Sequence, residues 1–493
     1  LKAALLRRGG RPAEALAALA AAHKSDPLDV RSMAERWLAT KAPADAKVLA
    51  STLNAHPHTA SETASEYLNA GLWKDGTDVL LQAVAAAPDK SKIHAMVYYY
   101  LGYFAARMGR ESQAAGYYSL ATKMPAEYVF PFQSEAVDVL RHAMTANPKD
   151  ARAPFYLGNL LFDWQPDEAT RLWETAAALD PAFPMVHRNL GIAYSHRPSG
   201  NSLERAIASL EKAVSLQPNY PIHFYELDQL YDAAGVAPEK RLALLESNQA
   251  VVVRRDDAVN REVGLKIALG KYGDAIQLMT GRRFAVWEGG NLNVAESWVD
   301  AHLLRGRQRL AAKQYPEALA DFQAAGKIPD NLPSERMAGG GRDAEIAYCL
   351  GEAQAALGDQ AQATQFWQKA AAGAAEPPQR FRRRGEGGLS PQNYYRALAL
   401  QKLGQDDKAV ETFRRLVESA AQALEKSPAR ADSGASFEVV QAGRESLAAA
   451  HYVSGLGYLG LKDTQKARQA LTQALQTDPA HLGARLAMAG LRD

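Results

Sequence analysis

The chain is 493 residues long, carries a formal net charge of +2 and contains one cysteine, Cys349. The balanced charge offers no broad basic field for nucleic acid, a lone cysteine excludes an internal disulfide, and no run of about 18 apolar residues is present to cross a membrane. Charged residues at 23% with abundant Ala and Leu favour helix throughout, and Cys349, at an apolar helical position, is expected in the core rather than as a reactive thiol.

Residues 1–90 carry degenerate repeats: Ala15, Leu19, Ala22 and Pro27 hold one frame, and Gly71, Gly76, Leu80, Ala83 and Pro88 another. Leu1 is not an initiator Met and no polar capping helix precedes this frame, so sequence upstream is expected, and the compartment stays open. Residues 91–250 form the next array, strongest over 126–220, in which Ala is followed four positions later by a large apolar residue, then by Ala three later, and often by Pro. Ala114, Tyr118 and Ala121 fit it, as do Ala169, Trp173, Ala176 and Pro181, and Ala206, Leu210, Ala213 and Pro218. Ahead of each lead Ala stands a small residue, usually after Leu, as in Leu101-Gly102, Leu157-Gly158 and Leu190-Gly191. In the next copy Asp228 replaces it.

Residues 251–300 keep the frame through Gly270, Ala275 and Met279, then break into the irregular segment from Gly281 to Asn291. Residues 301–493 resume it with Ala318, Phe322 and Ala325, with Ala363, Trp367 and Ala370, and with Ala467, Leu471, Ala474 and Pro479. Long loops over 329–342 and 376–391 and a small polar stretch over 427–436 interrupt this region.

A period near 34 residues with this pattern resembles the tetratricopeptide repeat (TPR). The resemblance implies an all-α, right-handed α-solenoid of helix-turn-helix repeats, about twelve to fourteen units. A unit of this kind cannot bury its apolar face alone, so neighbours stack and leave a long concave surface. Such a surface implies a non-enzymatic binding scaffold.

No constellation specific for catalysis is present, and neither a phosphate loop nor a dinucleotide glycine motif nor a zincin helix occurs; no cofactor or metal is expected. His56 and His58 flank Pro57, too few ligands for zinc. The Arg380–Arg384 run is either an anion clamp or a solvated loop. The aromatic stretch Tyr128, Phe130, Pro131 and Phe132 either packs over the next repeat or contacts another domain.

First helices line the groove in such repeats, which points inward Phe155, Asn159 and Phe162, then Arg188, Asn189 and Ile192, then Tyr225 with Glu226 and Asp228. Arg188 with two Asn side chains can hold a carboxylate or sugar hydroxyls. The pair Asn159 and Asn189 resembles the carboxylate clamp of chaperone-binding repeats. Phe155 and Glu226 stand where its basic residues belong, so that reading fails. Buried Glu226 and Asp228 would need partners, Arg188 or Arg241. The strongest candidate site is the irregular segment. There Phe284 and Trp287 offer stacking faces, Arg282, Arg283, Glu288 and Asn291 offer polar groups, and Gly289 and Gly290 allow close approach; the alternative is a structural plug between two solenoid halves.

Five islands in order — Tyr128 to Phe132, Tyr156 to Leu161, Arg188 to Gly191, Glu226 to Leu230 and Trp287 to Gly290 — resemble one group of large bacterial proteins. In these a carbohydrate-enzyme-like β-sandwich domain of unknown function precedes a TPR array. The resemblance implies that this chain is the solenoid part, with protein or its own upstream domain as partner. It also implies the alternative of carbohydrate binding or processing in which the solenoid contributes to the sandwich's sugar site. Ala285-Val286 and Asn291-Leu292-Asn293 depart from that group. A self-sufficient glycosidase is disfavoured, because Glu288 is the lone acid of the island.

Overall fold

The structure is a computed structural model and describes residues 2–196, 200–285, 293–333, 341–372, 390–426 and 437–491. Among these residues every regular element is a helix and none is a strand. Consecutive helices pair as antiparallel hairpins, for instance Ala95–Arg107 with Glu111–Ala121, Arg152–Leu161 with Pro166–Leu179, and Asp343–Ala356 with Gln360–Ala372.

The repeat frame explains the pairing. Ala169, Ala176, Ala206, Ala213, Ala318, Ala363 and Ala370 are fully buried, and the large residues between them are nearly so, Trp173 at 3% and Phe322 at 0% exposed. In four of the hairpins the large ring of the second helix lies across a glycine of the first. A Cβ built on Gly102, Gly158, Gly306 or Gly351 falls 2.4 Å from Tyr118, Trp173, Phe322 or Trp367 respectively. Only glycine allows the two helices that close. The tight turns pass through the left-handed region, at Gly109 (φ 71°), Gly358 (φ 90°) and Gly404 (φ 70°), and at Lys462 (φ 62°) where no glycine is available.

The chain forms two compact units, residues 1–193 and 194–493. In the first, the hairpin Ala95–Arg107/Glu111–Ala121 gains a third helix, Ala136–Ala146, after an irregular connection. That helix packs on Ala95–Arg107 and then on Arg152–Leu161, and Tyr118 Oη lies 2.9 Å from His142 Nδ1. In the second unit the first helices of successive hairpins, Val294–Ala311, Asp343–Ala356, Gln392–Lys402 and Phe437–Gly460, also touch one another. Leu482, in its last helix, packs against the core built from Phe224 to Leu332, so the second unit curls and its first helices converge on an inner face.

Candidate functional site

That inner face carries charge. Asp300 and Arg307 are two turns apart on Val294–Ala311 and so share a stripe. Arg307 Nη2 donates to Glu345 Oε1 at 2.5 Å and to Tyr395 Oη at 3.0 Å, reaching two successive first helices. Arg342 donates through Nη1 to Asp300 and through Nε to Glu345, both at 2.7 Å. The Glu345 backbone N–H donates to Gln392 Oε1 at 3.0 Å, and the Tyr395 ring lies 6.1 Å from that of Tyr348.

The electrostatics follow from this placement. Burial pushes the Glu345 carboxyl up, but the guanidiniums of Arg342 and Arg307 outweigh it and hold the carboxyl at about 2. Asp300 is shifted the other way, because burial outweighs Arg342. The hydroxyls of Tyr395 and Tyr452 are raised by burial and by Glu345, so both remain neutral donors. The two cations and two carboxylates balance, yet the cluster is open: Arg307 keeps 35% and Asp300 26% of their side-chain surface. Among the described residues Arg307 Nε and Nη1 donate to nothing. The arrangement presents a fixed guanidinium, flanked by tyrosines, to a carbonyl or carboxylate entering the groove.

Asn159 and Asn189 do come together: Asn189 Nδ2 donates to Asn159 Oδ1 at 2.8 Å, and the same oxygen accepts from Trp173 Nε1 at 3.2 Å. Arg188 is half-buried beside them on its helix. Phe155, expected on the groove, is instead buried against Phe183 at 4.7 Å. Tyr225 and Glu226 are half-buried, and Tyr225 Oη accepts from Gln229 Nε2 at 3.0 Å. Asp228 is fully buried, and its carboxylate accepts from Arg241 at 2.8 and 3.0 Å and from Arg261 at 2.5 Å. Asp232 closes the square by pairing with both arginines. Burial raises the Asp228 pKa, but the two arginines pull it below the usual carboxylate range. This is a cross-brace between three helices.

In the irregular segment Trp287, Glu288, Gly289, Gly290 and Asn291 lie outside the described residues, as do Arg380 to Arg384. Arg282 pairs with Asp256 and donates to Val253 O at 2.8 Å. Arg283 is exposed. Phe284 is 4% exposed, in one core with Met279, Val294 and Leu332, and its N–H donates to Asn331 O at 3.1 Å. The Phe284 face that sequence offers to a ligand is thus used in packing. The groove residues Asp300, Arg307, Arg342, Glu345, Tyr395 and Tyr452 were not singled out by the sequence; the available signal was Asp300 and Arg307 on one stripe beside Gly306. Among the described residues no three His, Cys, Asp or Glu side chains are placed to hold a metal, and no helix is long and apolar enough to cross a membrane.

Two family models, each described as a tetratricopeptide repeat, match residues 393–423 and 448–481. Yeast Tom70 is similar at 11% identity over 95% of this chain and 96% of its own, with a TM-score of 0.31. A human IFIT1 dimer with PPP-AAAA is similar at 12% identity over 92% and 95%, with a TM-score of 0.27. A tetratricopeptide repeat protein from Parabacteroides merdae ATCC 43184 is similar at 14% identity over 60% and 98%, with a TM-score of 0.26.

Proposed function

We propose, with the tetratricopeptide repeats at residues 393–423 and 448–481 as premise, that the chain is a non-enzymatic scaffold. Its inner face in residues 194–493 holds an extended segment of a protein partner. The observation that carries this reading is Arg307. It sits where three first helices meet, is locked by Glu345 and Tyr395, keeps 35% of its surface and retains unused donors. A guanidinium fixed by its neighbours loses little further freedom on binding, so less of what its hydrogen bonds contribute is spent on ordering. Half-buried Tyr348 and Tyr452 supply flat, rigid surface with few rotors, the residue type enriched where proteins recognise one another. The balanced charge of the groove favours a partner recognised by main-chain polar groups over one strongly acidic or basic.

The test is affinity capture from a lysate of the source organism with the full chain and with Arg307→Gln, quantified by mass spectrometry, then calorimetry with the purified partner. The reading expects a protein retained by the wild type and weakened at least tenfold by the variant. Equal retention by both removes the groove as the binding face.

A further inference from the structure

The connection between Glu111–Ala121 and Ala136–Ala146 holds three aromatic side chains in solvent: Tyr128 at 78%, Phe130 at 55% and Phe132 at 57% exposure. Val129 and Pro131 between them are buried, so burial alternates with period two, as along an extended chain. Among the described residues the N–H groups of Val129, Phe130 and Phe132 donate to no carbonyl or side chain. Pro131 has no N–H, which blunts the edge it shares with Val129. Phe130 and Phe132 direct their N–H and C=O groups to the opposite edge, which is intact.

A cleft of about 390 Å³ opens beside this segment, within the range of small-ligand sites. Tyr128 stands on its rim in the left-handed region (φ 61°), a costly conformation for a bulky residue. Leu53, Ala60, Ile93 and Val97 give it apolar walls, and His94 lines it with both ring nitrogens shielded from water and unpartnered. His94 is one of a row of imidazoles: His58 lies 5.1 Å from it and 5.5 Å from His56, and 5.4 Å from Phe132. Burial, with His58 and His56 adding, keeps His94 neutral, its pKa lowered to about 4. A neutral imidazole adds no charge to the wall, so an apolar side chain entering the cleft meets no buried cation there. Asp89 and Lys92 in the wall pair with each other at 3.4 Å, so Glu127 is left as the uncompensated charge of the lining, which disfavours an acidic occupant.

We infer that Val129–Phe132 is a docking edge for an extended, non-acidic peptide of a partner protein, which adds as a strand along Phe130 and Phe132 and places one apolar side chain in the cleft against His94. Open backbone donors supply the ladder, and the exposed rings at alternate positions match side chains of a peptide with the same period. The site is separate from the Arg307 groove and does not depend on it.

The experiment pans phage-displayed random dodecapeptides on the full chain. The enriched peptide is then synthesised and titrated by calorimetry against wild type, Phe130→Ser/Phe132→Ser, Ala87→Phe, which narrows the cleft, and Arg307→Gln. The inference expects alternating aromatic or branched residues in the selected peptides. It expects at least tenfold weaker binding in the first two variants, unchanged binding in the third, and new hydrogen-exchange protection at the Phe130 and Phe132 amides. Far-ultraviolet circular dichroism checks that each variant is folded. Binding that survives both cleft variants, loss confined to Arg307→Gln, or no enrichment at all would overturn it.

Discussion

Gly158→Ala tests the packing rule on which the repeats rest. Helix Arg152–Leu161 crosses Pro166–Leu179 where Gly158 meets the Trp173 indole, and an added Cβ would lie 2.4 Å from Nε1 and 2.7 Å from Cδ1. The ring has little room to yield. It is 3% exposed, backed by Phe162 at 5.0 Å, and donates to Phe155 O and Asn159 Oδ1 at 3.2 Å each. Overpacking of this kind costs about 1–3 kcal/mol, and a displaced indole loses a buried hydrogen bond worth about 1 kcal/mol. Helix propensity returns about 0.5–1 kcal/mol. The net expectation is a loss of about 2 kcal/mol. Gly116 is the control: it is exposed on Glu111–Ala121 with nothing within 4 Å of its Cβ, so Gly116→Ala should gain about 0.5–1 kcal/mol. Repeat arrays depart from two-state unfolding, so the assay is native-state hydrogen exchange of residues 1–193 supported by urea midpoints. A Gly158→Ala protein as stable as wild type, or the same sign for both substitutions, would refute the reasoning.

Lys462 holds φ 62° in the turn before Thr464–Thr477; Lys462→Gly should stabilise that hairpin by about 1 kcal/mol, read as slower amide exchange there. Asp228→Asn leaves the buried Arg241 guanidinium short of its charge partner and should destabilise by about 3 kcal/mol, measured as a fall in urea midpoint; a neutral outcome would show that the square is not a brace. His94 titrates at about 4 in the fold against its ordinary 6.5. The unfolded chain therefore takes up the proton first, and stability of residues 1–193 should fall between pH about 6.5 and about 4 by up to about 3 kcal/mol, with no further loss from this group below. His94→Leu should flatten that part of the profile.

The hairpins were legible because close helix approach forces small residues to recur, and Gly158, Ala169 and Ala176 occupy the positions that the spacing assigns. Asp228 in place of the small residue signalled a local exception. Arg241 was readable as its partner, but Arg261, 33 residues from Asp228, was not. The groove was hidden for the same reason: the Arg307–Tyr395 bond spans 88 positions, and no local period records which first helices converge. Phe284 looked available because it lies outside the repeat frame, yet its neighbours Met279 and Val294 close over it. Of the aromatic stretch, Val129 and Pro131 pack inward while Tyr128, Phe130 and Phe132 face water, a split that residue type alone does not announce.

The most direct test of the scaffold reading is site-specific photocrosslinking in the source organism, with a benzophenone amino acid at position 348 in the groove or at position 368, exposed on a second helix. The account predicts a defined protein adduct from position 348 that Arg307→Gln abolishes and that position 368 does not give. Adducts from position 368 alone, or an adduct from position 348 that persists in Arg307→Gln, would contradict it.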